Sequence, residues 1–203
     1  GKKIKIIIES SETFTGEVFI DDISTKSARI KDLSRKVGIS FQNPDHSFFN
    51  ETVKDEILFS LKNWNFSRLE VQEYFEETVQ LFGLHDLLDK SPFALSGGQR
   101  KLVSIATIYC WHPKYLILDE PTIGQDLKHK LHLTKILNQY LKSGNTIICI
   151  THDVDWAINT FNRILVLKNG QLLVDGPPER AFSFPEITKR SGLLEPQILE
   201  LLR

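Results

Sequence analysis

The sequence predicts an α/β fold: a parallel sheet with a helical stretch inserted between its strands. Short β-branched runs bounded by turn residues recur along the chain. Two of them, Tyr115–Leu118 and Thr146–Ile150, are apolar on both faces, the pattern of a parallel strand covered by helices. Between about Asn50 and Lys90 the periodicity becomes helical, and beyond it strand and helix patterns alternate.

Taken in order, Ile4–Ile8 reads two ways: its residues favour a strand, yet Ile4, Ile7 and Ile8 share one helical face. Val18–Ile20 and Val37–Phe41 read as strands. Ser67-x-x-Glu70 is a capping box that opens a helix with apolar positions Val71, Tyr74, Phe75, Val79 and Phe82, stopped by Gly83. The pattern returns from Leu127 to Leu141, with apolar positions Leu133, Ile136, Leu137, Tyr140 and Leu141, and Gly144 ends it. Asn169-Gly170 between Ile164–Leu167 and Gln171–Val174 is a hairpin turn of the kind that needs positive φ. Phe184 to Arg203 reads as a short helical extension. This divides the chain into a core of about 1–45 and 111–183, a helical subdomain of about 46–110, and a tail of 184–203.

With 203 residues, 41% of them hydrophobic, the chain can bury one real core. A formal charge of −1 and a pI near 6.7 supply no electrostatic reason for nucleic acid binding. Apolar runs such as Ile147–Ile150 are far too short to span a bilayer, and no signal-peptide pattern opens the chain. Cys110 and Cys149 lack metal-like spacing and read as buried thiols of a reducing compartment. The absence of methionine points to a fragment or to missing pieces.

The strongest chemical signal is Leu95-Ser96-Gly97-Gly98-Gln99. Ser96 suits a helix N-cap, and the glycines let backbone amides approach an anion at the helix's positive end. At helix-length distance Tyr115-Leu116-Ile117-Leu118-Asp119-Glu120 places two carboxylates at the end of a buried strand. Strand alternation aims them apart, so one suits Mg²⁺ and the other an attacking water. A Ser-Gly-Gly loop or two strand-end acids alone would often be plain turns; their succession is what carries the reading.

These residues resemble the ATP-binding domains of ABC transporters, over nearly the whole chain from Gly1 to about Gly176. The resemblance implies a P-loop NTPase-type (RecA-like) core with a mostly parallel sheet, plus an inserted ABC helical subdomain. It implies ATP and Mg²⁺ as cofactors. Gln42 looks like the Q-loop glutamine, contacting Mg²⁺ and water. Ser96, Gly97, Gly98 and Gln99 look like the signature motif, Asp119 like the Walker B aspartate, and Glu120 like the catalytic glutamate. Gly124-Gln125-Asp126 is similar to the D-loop, with Gln125 where leucine is more usual and Asp126 on the nucleotide side. His152 in Thr151-His152-Asp153 matches the switch histidine. Phe41-Gln42-Asn43-Pro44-Asp45, Phe48 to Glu56, and Gly192-Leu193-Leu194-Glu195-Pro196 are similar to the energy-coupling-factor importers of cobalt, nickel or vitamins. The partners implied are a second ABC ATPase domain, identical or different, and a transmembrane coupling subunit, at the cytoplasmic face of the cell membrane. Phe48, Phe49, Asp55 and Glu56 are expected to dock that subunit, with helical-subdomain packing as the alternative for the two phenylalanines.

One departure is large. The family requires Gly-x-x-x-x-Gly-Lys-[Ser/Thr], and no complete copy exists in the chain. Gly1-Lys2-Lys3 resembles its last three residues, with Lys3 where the hydroxyl should stand. Gly1 and Lys2 are then nucleotide-binding, and a helix follows from Ile4 with Ile4, Ile7 and Ile8 on the sheet. The alternative is a strand entering a deleted loop. The upstream strands and leading glycines are absent from the sequence. The functions to be weighed are therefore an importer ATPase, a catalytically silent subunit with a degenerate loop, and a non-transport ABC ATPase.

Overall fold

The computed structural model describes residues 4–8 and 16–182. Gly1, Lys2 and the helical extension expected over 184–203 lie outside them. Two compact units divide the described chain, residues 4–8 with 16–150, and residues 151–182.

The first unit begins with β1 (Ile4–Ile8), β2 (Gly16–Ile20) and β3 (Ile23–Ser24), which form an antiparallel sheet in that order. The helix expected from Ile4 is therefore a strand, paired from Ile4↔Ile20 to Ile8↔Gly16. Four isoleucines in five residues suit this outcome, and pairing with β2 selects it. Each β-branched side chain loses rotamer freedom in a helix and keeps it in a pleated ladder. Asp21 and Asp22, with φ of 50° and 64°, turn β2 into β3 through the doubly positive geometry of a tight hairpin.

After α1 (Ile30–Ser34) the chain enters a three-stranded parallel sheet made of β4 (Val37–Ser40), β5 (Tyr115–Asp119) and β6 (Thr146–Ile150), with β5 central. Tyr115, Leu116 and Leu118 of β5 are wholly buried. β6, expected to be covered on both faces, has one neighbouring strand among the described residues; it is half-buried, with Ile150 exposed. Between β4 and β5 lie α2 (Val53–Lys62), α3 (Arg68–Phe82) and α4 (Gly97–Tyr109), which pack on one another. Their shared core holds Ile57, Leu61, Val79, Phe82, Val103 and Ala106. The expected capping box of Ser67 and Glu70 is formed, and Gly83 ends α3 in the left-handed conformation at φ 64°.

α4 also seats on β4. A Cβ at Gly38 would stand 2.3 Å from Ile108 Cγ2, so only glycine permits the approach. α5 (Leu127–Lys142) packs against β6 and buries Leu133, Ile136, Leu137 and Tyr140, four of the positions its periodicity named, whereas Leu141, the fifth, is exposed. The second unit contains α6 (Val154–Thr160), β7 (Ile164–Lys168), β8 (Gln171–Gly176) and α7 (Pro178–Phe182). Asn169 and Gly170, with φ of 49° and 75°, make the expected hairpin turn. Val166, Val174 and Ala181 form this unit's own small core.

Candidate active site

Parallel strands gather their carboxyl ends on one edge, and loops leaving such an edge are where α/β sheets place ligands. Ser40 ends β4 two residues before Gln42. Asp119 ends β5 in register with Ile150 of β6, and Glu120 follows it. Gln42, Asp119 and Glu120 are thus carried to the same edge by sheet register. Glu120 adopts φ 45°, the left-handed region that costs a non-glycine residue energy and that concentrates at functional turns. Its N–H donates to the carbonyl of Ile150 at 2.9 Å, which holds it there.

Lys101, on the buried face of α4, is a residue that motif reading passed over. It is 4% exposed. Its Nζ donates to the carbonyls of Phe41 at 2.7 Å, Gln42 at 3.2 Å and Asp119 at 3.0 Å. Burial pushes its ammonium below the usual lysine range, while nearby Asp119, Cys149 and Glu120 pull it back. A lysine at a buried helical position between Ser96 and Val103 was the available signal. Burial also pushes the Cys149 thiol up to about 12 and the Cys110 thiol higher still, which disfavours the reactive thiolate at both.

The glycine motif opens α4 as expected. Ser96 Oγ accepts from Gln99 N at 3.3 Å, and Gln99 Oε1 accepts from Ser96 N at 3.2 Å, closing a capping box. Ser96 and Gly97 are exposed, so the helix's free amide end faces solvent. Arg100 Nη1 reaches Asp45 Oδ1 at 2.8 Å, and its Nη2 reaches the carbonyls of Phe93 and Leu95. Gln125 Nε2 donates to the Gly98 carbonyl at 3.3 Å. Asp126 is the N-cap of α5, accepting from His129 N at 2.8 Å and meeting His129 Nδ1 at 2.7 Å; these bonds hold its carboxyl below the ordinary range. His152 stands in the second unit, where Asp153 caps α6 by accepting from Trp156 N at 3.2 Å.

The expected docking residues separate. Phe48 is 6% exposed and packs edge-on against Phe93, whereas Phe49 is 78% exposed. Glu56 is buried, accepting the backbone N–H groups of Phe49 and Asn50, so it forms no part of an acidic rim. A groove of about 320 Å³ runs beside Phe49, lined also by Ile39, Phe41, Trp64 and Trp111.

The ABC transporter family model matches residues 3–123, more than half of the chain. The chain belongs to the ABC transporter ATP-binding family. A Pyrococcus furiosus protein named as an ABC transporter ATP-binding protein is 40% identical over 189 residues, covering 93% of this chain and 72% of that protein. The energy-coupling factor transporter ATP-binding protein EcfA2 of Streptococcus agalactiae is 38% identical over 188 residues, covering 90% and 67%. Among solved structures, cbiO1 of Clostridium perfringens, part of the ABC transporter complex cbiONQ, superposes with a TM-score of 0.75 at 31% identity, over 93% of this chain and 76% of that one. The ABC fold is thus present, with its α/β core and several helices. Among the described residues no helix is long and apolar enough to cross a membrane.

The residues of this ABC domain fit a magnesium nucleotide at two points. The exposed amide end of α4 suits a phosphate, and the Asp119–Glu120 carboxylates suit a cation and a water. Among the described residues no group of three His, Cys, Asp or Glu could hold a metal ion.

Proposed function

We propose that this chain is the ATP-binding and ATP-hydrolysing subunit of an importer, of the energy-coupling-factor type that takes up metal ions or vitamins. The observation that carries the reading is the strand-end pair Asp119–Glu120, with Glu120 held at φ 45°, on the sheet edge that also carries Gln42. The EcfA2 and cbiO1 relatives support the importer class.

Bound Mg²⁺ would supply charge neutralisation on the phosphates. Asp119 would hold the cation, directly or through water, together with Gln42. Glu120 accepts a hydrogen bond from the attacking water and orients it, a role that needs a full negative charge. His152 contacts the terminal phosphate, and Gly1 and Lys2 hold the phosphates on their side. Ser96, Gly97, Gly98 and Gln99 present amides and a hydroxyl to the nucleotide of a second domain, with Asp126 beside them. The site then needs two copies, identical or different. Phe49 and its groove take an apolar segment of the transmembrane coupling subunit, which places the domain peripherally at the cytoplasmic face of the membrane.

A second reading, a catalytically silent subunit, draws on one observation: residues 4–8 form a strand where the family's phosphate loop is followed by a helix. Calorimetry with Mg·ATP on the protein expressed from its whole gene, followed by phosphate release, separates the two. Binding with turnover supports the ATPase; binding without turnover supports the silent subunit.

A further inference from the structure

Lys101 has three donors, and all three are spent on backbone carbonyls from different parts of the site. Two belong to Phe41 and Gln42, in the turn after β4. The third belongs to Asp119, so it lies in the peptide unit that joins Asp119 to Glu120. That same peptide unit donates its N–H to Ile150 at 2.9 Å. One peptide is therefore gripped at both ends, its oxygen by Lys101 and its N–H by β6. The residue that follows is Glu120 at φ 45°, a conformation that persists only where surroundings over-determine it. A buried ammonium is costly unless every proton is used, so Lys101 is an expensive choice for merely filling space on α4.

We propose that Lys101 is a positioning residue that fixes the orientation of Glu120 and ties it to the backbone at Gln42. The inference rests on the ATPase reading of this site. Through the one ammonium, a displacement of the Phe41–Gln42 backbone pulls on the Asp119–Glu120 peptide. A contact made near Phe41 and Phe49 thereby reaches the carboxylate that orients water. Arg100, the preceding residue, reinforces the arrangement by holding Asp45 at 2.8 Å, so the first two turns of α4 grip the segment from Phe41 to Asp45 at both ends.

The test compares wild type with Lys101→Met, which keeps the length and apolar stem but no donor, and with Lys101→Arg, which keeps charge and donors. Amide hydrogen exchange on the nucleotide-free protein is the first measurement. Lys101→Met should speed exchange about 10-fold or more in peptides covering Phe41–Asn43 and Glu120, with α3 and α5 unchanged. Steady-state hydrolysis by the protein expressed from its whole gene is the second. The Met variant should lose about 10- to 100-fold in kcat with KM little changed, and the Arg variant should recover part of that loss. Unchanged exchange at those peptides, or a loss confined to KM, overturns the proposal. Should Lys101→Met fail to fold, Lys101→Arg decides: wild-type exchange with wild-type kcat supports a donor role, and a kcat equal to background with wild-type exchange overturns it. Absence of turnover in wild type overturns the ATPase reading and the catalytic consequence with it, while the exchange pattern still judges the clasp itself.

Discussion

Glu56 buries its carboxylate and accepts the N–H of Asn50 at 2.6 Å, with the N–H of Phe49 on the same oxygen. This pins the chain where one phenylalanine turns inward and the next turns out. Glu56→Ala would leave two part-buried amide groups without their acceptor, at about 1 kcal/mol for each such group. A thermal melt of the variant should fall accordingly, and an unchanged melt would show that water replaces the carboxylate freely.

Phe48 and Phe49 should behave oppositely. Phe48→Ala removes a core side chain and should cost about 3 kcal/mol or more. Phe49→Ala, at 78% exposure, should change stability by about 0.5 kcal/mol or less while weakening capture of the membrane subunit. Melts and a pull-down with that subunit check both; undiminished capture by Phe49→Ala removes the groove from the docking surface.

Glu120→Gln keeps the shape of the side chain and loses its charge. In the protein expressed from its whole gene, ATP binding should persist while hydrolysis slows about 100-fold or more. ATP-bound dimers should accumulate, visible by size-exclusion chromatography. Wild-type turnover would take Glu120 off the catalytic list.

Asp21 is expected to contribute to the acid stability of the first unit. Hydrogen bonds from Lys114 and Tyr115, and a third from Lys36 at 3.1 Å, hold its carboxyl far below the usual range. A depressed folded pKa stabilises the protein fully above the ordinary carboxylate range and loses that contribution as pH falls below about 4. Asp21→Asn should cost about 1–3 kcal/mol at pH 7 and flatten the decline toward acid. Melts between pH 7 and pH 2 compare the two, and parallel curves would deny Asp21 the role.

The sequence by itself determined the features that depend on local chemistry. Ser67 and Ser96 cap helices because a hydroxyl can reach the amide three residues on while Glu70 and Gln99 reach back. Asn169-Gly170 turns a hairpin because positive φ is cheap there, and Tyr115–Leu118 forms a strand because its apolar residues suit a covered ladder. The glycine motif and the Asp119–Glu120 pair were legible for the same reason, since their chemistry lies in contiguous residues. Tertiary structure alone decided the rest. Ile4–Ile8 has residues that suit both a strand and a helical face, and only pairing with Gly16–Ile20 selects the strand. Phe48 and Phe49 are the same residue type side by side, and they part where Phe48 meets Phe93 and Glu56, seven residues from Phe49, accepts the Phe49 N–H. Lys101 reads as an ordinary helical lysine until the fold brings carbonyls from residues about sixty and eighteen positions away around its ammonium. A buried charge is tolerated only by partners that converge in space, and no local pattern records that convergence.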